Sequence, residues 1–259
     1  VQEYLETAVE LGAAAGEIML RYFDSGVAVE WKSDATPVTV ADKAINAMVI
    51  ERISAEYPDH GIVGEEASKS RPNAPMQWVC DPIDGTVPFM LGIPTNVFAL
   101  ALCENGEPIV AVVVDPYLSR TYTASRGGGA FCNERKLSVS ARAQLGGSTM
   151  NVSGRGDDGP ADGAGIYEDL HAAGAILLHH HAILYETILV ASGMFDGAIY
   201  AKSHAWDAAA GVLLVGEAGG KATDLCGRWQ RYDRPIRGAV FSNGRVHDDL
   251  VRLAAPHLA

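Results

Sequence analysis

The stretch Trp78-Val79-Cys80-Asp81-Pro82-Ile83-Asp84-Gly85-Thr86 constrains this chain more than any other. An apolar run ends in two carboxylates three residues apart, split by a proline and followed at once by Gly-Thr. Pro82 fixes its own φ and pushes Asp81 toward an extended conformation. The strand is therefore expected to stop there and to turn Asp81 and Asp84 toward one point. Gly85 tolerates a bend that other residues resist, and the N–H groups of Gly85 and Thr86 lie ready for an anion if a helix begins here. Carboxylates beside bare amide donors suit a hard divalent cation and a phosphate. The plain alternative is an Asp-Pro turn with solvated carboxylates.

About half of the 259 residues are apolar, enough for a sizeable core in one large domain or two small ones. A net charge of −12 argues against nucleic acid as a partner, although an acidic cluster can still recruit an anionic substrate through bound cations. Val1 to Phe23 carries Glu3, Glu6, Glu10 and Glu17 and reads as an amphipathic helix, not a signal peptide. No apolar run is long enough to span a membrane. Cys80, Cys103, Cys132 and Cys226 are scattered without CxxC spacing, which points to reduced thiols in a cytoplasm and away from a zinc site.

In order, the first helix is expected to end at Asp24-Ser25-Gly26, followed by a strand at Val27 to Trp31 and a polar turn at Lys32 to Pro37. A second helix runs through Ala41, Ile45, Val49 and Ile53 to a stop at Pro58. Gly61 to Gly64 is a short strand delivering Glu65-Glu66. Asn96 to Cys103 and Pro108 to Val114 pair antiparallel across Asn105-Gly106. Further short strands complete an N-terminal α+β half over residues 1–140. Residues 141–259 form an α/β half, the two making one compact catalytic unit. In it, Gly154 to Gly165 reads as loop, Ile166 to Ala173 and His181 to Ala191 as helices, Phe195 to Tyr200 as a strand, and Asp207 as the first turn of a helix running to Glu217. Val246 to Leu258 closes the chain as an amphipathic helix.

Three segments, Gly64-Glu65-Glu66, Asp81-Pro82-Ile83-Asp84-Gly85-Thr86 and Trp206-Asp207-Ala208-Ala209-Ala210-Gly211, together resemble the signature of the inositol monophosphatase family. The likeness extends to Lys32, to Thr39-Val40-Ala41-Asp42 and to Gly92-Ile93-Pro94, and so over essentially the whole chain. It implies a layered αβαβα sandwich of the inositol monophosphatase and fructose-1,6-bisphosphatase type. It also implies a lithium-sensitive, Mg²⁺-dependent phosphatase, usually a homodimer, with two or three metals per site. Carried over by position, Glu65, Asp81 and the Ile83 backbone carbonyl match the ligands of a first metal, and Asp81, Asp84 and Asp207 those of a second. Asp42 and Thr86 match the pair that orients and deprotonates the attacking water; Glu66 and Lys32 support the site.

The chain departs from the family on the substrate side. Val87-Pro88-Phe89 replaces a polar segment after Gly85-Thr86, and Leu178-His179-His180-His181-Ala182-Ile183 stands where an Arg and a Gly-Ser-Ala-like run face the inositol ring. Tyr200 falls where inositol-specific members place a Glu. His179, His181, Ile183 and Tyr200 are therefore the candidate substrate residues, with Arg155 and Lys202 as candidates for a distal charge; in an extended segment His179 and His181 share a face. For each, a partly exposed structural role is the plain alternative. The leading reading is hydrolysis of a small polyol, sugar, inositol or amino-alcohol phosphate without a covalent intermediate. A bisphosphate phosphatase and a catalytically idle, metal-binding interaction protein are the alternatives.

Overall fold

The computed structural model describes residues 1–23, 29–32, 37–71, 73–154 and 159–259. The expected helix stop at Asp24 to Gly26, the start of the strand at Val27, the turn at Ser33 to Thr36 and Arg155 lie outside the described residues.

The N-terminal stretch forms α1 (Gln2–Tyr22), β1 (Val29–Trp31), β2 (Pro37–Thr39), α2 (Val40–Glu56), β3 (Gly61–Gly64), β4 (Met76–Asp84) and the short α3 (Thr86–Met90). It continues through β5 (Val97–Glu104), β6 (Glu107–Asp115), β7 (Arg120–Ser125), β8 (Gly129–Cys132) and β9 (Arg135–Lys136). After these come β10 (Thr149–Ser153), α4 (Gly163–Ala172), β11 (Ile176–Leu177), α5 (Ile183–Ala191), β12 (Gly197–Tyr200), α6 (Ala209–Glu217), β13 (Lys221–Thr223), β14 (Ala239–Ser242) and α7 (His247–Ala254).

Two sheets result. Strands β3 to β9 lie side by side in sequence order, β3 parallel to β4 and the rest antiparallel. The second sheet has the order β11-β10-β12-β14-β13. Strand alternation decides what each face meets. Trp78, Cys80, Leu100 and Leu102 pack under α1 and α2 in one cluster. Val79, Ala99, Ala101 and Val113 point the other way, onto α5 and α6, whose far side rests on Ala198, Tyr200 and Phe241 of the second sheet. Helices α4 and α7 cover the remaining face through Ile166, Leu170 and Leu250 against Met150, Ile199 and Val240. The stack is helix, sheet, helix, sheet, helix, the layered α+β sandwich expected. A central helix pair buried on both sides must be apolar nearly all round, as Ile183-Leu184-Tyr185-Glu186-Thr187-Ile188-Leu189-Val190-Ala191 is, with one charged exception at Glu186.

The β5–β6 hairpin turns at Asn105 and Gly106 with φ of 52° and 88°, the two left-handed residues that a tight hairpin with this twist requires. Several boundaries differ from expectation. Strand β4 does not stop at Pro82: it runs on to Asp84 across a bulge, because Pro82 lacks only a donor and the bulge absorbs that loss. Helix α4 starts at Gly163, inside the expected loop, because the Asp162 side chain accepts the N–H groups of Ala164 and Gly165. Helix α5 begins two residues after His181, whose φ of 58° is not helical. Asp207 lies two residues ahead of α6 instead of in its first turn. Among the described residues, no helix is long and apolar enough to cross a membrane.

Candidate active site

In a regular strand, side chains three residues apart leave opposite faces. The bulge in β4 changes this: Asp81 pairs with Ala99 and Asp84 with Val97, so three steps on β4 span two on β5. Asp81 and Asp84 thereby share the face toward α5 and α6. From the far side, the turn between β12 and α6 brings in Asp207, and carboxylate oxygens of Asp81, Asp84 and Asp207 all lie within 4.8 Å of one another. Asp81 is 1% exposed, and its Oδ1 has no hydrogen-bond partner. Burial and the neighbouring charges of Glu65 and Asp84 push the Asp81 carboxyl well above its ordinary range; burial and Asp207 do the same to Asp84.

Glu65 follows β3, and its N–H donates to the Cys80 carbonyl at 3.2 Å, which sets it beside Asp81. Its carboxyl is raised to about 7, by burial first and then by Asp207, against the pull of Lys32. Lys32 Nζ donates to Glu65 Oε1 at 3.0 Å and to Glu66 Oε1 at 2.6 Å. Burial lowers the Lys32 ammonium, but these two carboxylates outweigh it and the net shift is upward. Glu65 thus lies in the same cavity but outside the cluster of three aspartates.

Asp42 is fully buried in the first turn of α2. Its Oδ2 accepts the backbone N–H of Thr39 at 2.8 Å and the Thr39 hydroxyl at 2.5 Å, one half of a capping box. Its Oδ1 faces the Thr86 hydroxyl at 3.5 Å, and that hydroxyl also lies 3.3 Å from the Ile83 carbonyl. Burial raises the Asp42 carboxyl to about 6 despite the Thr39 hydrogen bonds. Gly85, at φ 89°, makes the turn from β4 into α3. The cavity shared by these groups measures about 370 Å³, and Glu65, Asp81, Asp84, Gly85, Thr86 and Asp207 are part of its wall.

Buried carboxylates in one cluster repel unless a cation sits among them. The donors are all oxygens, one of them orphaned, and this set fits a hard divalent ion better than a thiophilic one. A family model described as the inositol monophosphatase family matches residues 1–258. The chain belongs to the inositol monophosphatase family. It is accordingly a phosphoric monoester hydrolase by class. A histidinol-phosphatase of Mycobacterium tuberculosis is 35% identical, the match covering 97% of this chain and 98% of that protein. The Nus factor SuhB of Xylella fastidiosa is 34% identical over 85% of this chain and 81% of its own length. The solved structure of a Thermotoga maritima IMPase superposes with a TM-score of 0.87 at 29% identity, covering 98% of this chain and 97% of that one.

Within the inositol monophosphatase frame, the substrate side carries this chain's own features. His179, His181 and Ile183 line the cavity, and the His179 and His181 rings meet edge to face at 4.2 Å. His180 turns away, and its buried Nδ1 lies 3.6 Å from Glu186 Oε1. Tyr200 also lines the cavity, but its hydroxyl donates to Asp207 Oδ2, so it holds an aspartate of the cluster. Burial and the Asp207 charge push the Tyr200 phenol well up.

Sequence reasoning missed two arrangements. Asp84 accepts the N–H of Ile183 on Oδ1 and the N–H of Tyr185 on Oδ2, both at 3.0 Å, and so caps α5 from another layer. The signal was an absence, since His180-His181-Ala182 offers no Ser, Thr, Asp or Asn to cap a helix locally. Glu186 is the other, and its signal was a lone charge in an apolar helix.

Proposed function

We propose that this enzyme hydrolyses a small phosphate monoester of a polyol, sugar, inositol or amino alcohol, with Mg²⁺ as cofactor, by direct attack of water on phosphorus. The supporting observation is the convergence of Asp81, Asp84 and Asp207 around an unpartnered buried oxygen. Glu65, Asp81, the Ile83 carbonyl, Asp84 and Asp207 would hold two or three Mg²⁺ ions, which when bound supply the positive charge that polarises phosphate and water and stabilises the departing oxygen. The chain's own residues do the rest. The backbone N–H groups of Gly85 and Thr86 receive phosphate oxygens at the start of α3. Thr86, held between the Asp42 carboxylate and the Ile83 carbonyl, orients the attacking water through its hydroxyl. Asp42 Oδ1 takes the proton, because Oδ2 is already filled by Thr39. Lys32 neutralises Glu65 and Glu66 at the rim, and no side chain acts as a covalent nucleophile. His179, His181 and Ile183 contact the alcohol part of the ester. The resemblance supports a cytoplasmic homodimer inhibited by lithium.

The second reading, a bisphosphate such as fructose 1,6-bisphosphate, draws on Lys202, which lines the same cavity as the two histidines and would suit a second anion. The experiment is phosphate release from inositol 1-phosphate, histidinol phosphate, hexose phosphates, fructose 1,6-bisphosphate and a 3′-phosphonucleotide, with and without Mg²⁺. Wild type is compared with Asp207→Asn and Asp84→Asn. Mg²⁺-dependent turnover that both variants lose supports the reading. A folded, Mg²⁺-loaded wild type that releases no phosphate from any ester sinks it, and favours the idle interaction protein.

A further inference from the structure

We infer that Glu186 is a positioning residue for substrate recognition, fixing through Asn151 which ring nitrogen of His179 carries the proton. The inference rests on the cavity being the ester site. Glu186 is the charged exception in α5 and is fully buried. A buried carboxylate persists only where its oxygens are filled. Here Oε1 accepts the His180 N–H at 2.9 Å, and Oε2 accepts the Ser153 hydroxyl at 3.1 Å and the Asn151 side-chain NH₂.

These contacts dictate an orientation. A carboxylate only accepts, so the Asn151 amide must present its NH₂ to Glu186; turned over, it would set oxygen against oxygen. The Ser153 hydroxyl reinforces this by accepting from the same NH₂ at 2.8 Å. Asn151 Oδ1 is then aimed at His179 Nδ1, 2.9 Å away. An amide oxygen also only accepts, so the proton of the neutral ring sits on Nδ1, and Nε2 carries the lone pair. The edge-to-face contact with His181 restrains the ring where it lines the cavity. The site is thereby built to recognise an alcohol part that offers a hydrogen-bond donor, a hydroxyl or an ammonium. An ester whose alcohol part ends in hydrocarbon or bare arene gains nothing from it.

Glu186→Gln tests this. One edge of the new amide donates, so Asn151 loses its reason to present NH₂ on that side, turns over, and moves the ring proton of His179 to Nε2. Imidazole ¹⁵N NMR of the histidine-labelled protein should show Nδ1–H at His179 in wild type and Nε2–H in Glu186→Gln. For a polyol or amino-alcohol phosphate, KM should rise roughly tenfold, the equivalent of one hydrogen bond, with little change in kcat. For p-nitrophenyl phosphate KM should stay put. His179→Gln, at a cavity position, should reproduce the selective rise in KM, and the double variant should be no worse than either single one. An Nε2–H tautomer in wild type overturns the inference, as does an equal loss on both esters or additivity in the double variant. If wild type hydrolyses no ester the phosphatase reading fails by itself, and the NMR assignment still decides the role of Glu186.

Discussion

Replacing Gly85 by alanine separates backbone strain from the contact that joins the two sides of the site. At φ 89° any side chain costs about 1–2 kcal/mol. A Cβ here would also come within 2.9 Å of the Ala182 Cβ and 3.2 Å of the Thr95 carbonyl. Overpacking of this kind adds about 1–3 kcal/mol, for a total of roughly 2–5 kcal/mol. Gly127 is the control: its φ is 73° and nothing lies within 4 Å of its added Cβ, so Gly127→Ala meets the backbone cost alone. At roughly 2–4 °C per kcal/mol for a chain of this size, thermal melts should place Gly85→Ala several degrees below Gly127→Ala. The activity effect is sharper. Ala182 precedes the two N–H groups that hold Asp84, so pushing it away moves an aspartate of the cluster. Displacements near 1 Å cost on the order of 10²-fold in rate, and kcat of the folded Gly85→Ala protein should fall by about that much while Gly127→Ala keeps its rate. Equal melting temperatures for the two variants, with kcat retained in both, would refute the reasoning.

Tyr200→Phe removes the hydroxyl on Asp207, and the Mg²⁺ concentration for half activation should rise roughly tenfold, as for other partners of metal ligands; titration of activity with Mg²⁺ reads this. Mg²⁺ near 100 times its dissociation constant should stabilise the fold by about 2.7 kcal/mol, seen as a rise in melting temperature that Asp207→Asn largely loses. His247 is fully buried between Thr223 and Ser242, and burial, then Lys221, lowers it to about 4 from 6.5. The unfolded chain therefore binds a proton that the folded one refuses, and this contribution is complete above pH 6.5 and lost as pH falls toward 4. It is worth about 3 kcal/mol in all. Urea melts of wild type and His247→Gln at pH 7.5 and 4.5 should show this as a difference between their pH dependences; parallel dependences would exclude it.

Much of the fold is legible in the sequence because the layers rest on period. The step pattern of α1 and α2, the Asn105-Gly106 hairpin and the run of strands through β8 follow local rules and appear as expected. The convergence of Asp81 and Asp84 is legible in the Asp-Pro-Ile-Asp run and the joining of Asp207 by resemblance, but the geometry that brings the first two together is not. That Asp81 and Asp84 share a face depends on a bulge, and a bulge is settled by pairing with Val97 and Ala99 of β5, distant along the chain but adjacent in space. The starts of α4 and α5 differ from expectation for a related reason: Asp162 caps the first from within the expected loop, and Asp84 caps the second from another layer. Position along the chain makes Tyr200 a candidate substrate residue, while its bond to Asp207 becomes visible only with the turn between β12 and α6 folded.

The grip of Asp84 on α5 has a consequence for how such a scaffold diversifies. It is made to backbone N–H groups, which every residue except proline possesses. The joint is therefore indifferent to which side chains ride on it, and the segment from Leu178 to His181, stopping short of the buried Ala182 beside Gly85, can be rewritten without unseating the helix it leads into. A socket of this kind lets one phosphate-cleaving centre be fitted with many different readers of the alcohol, a histidine tract being the version worn by this chain.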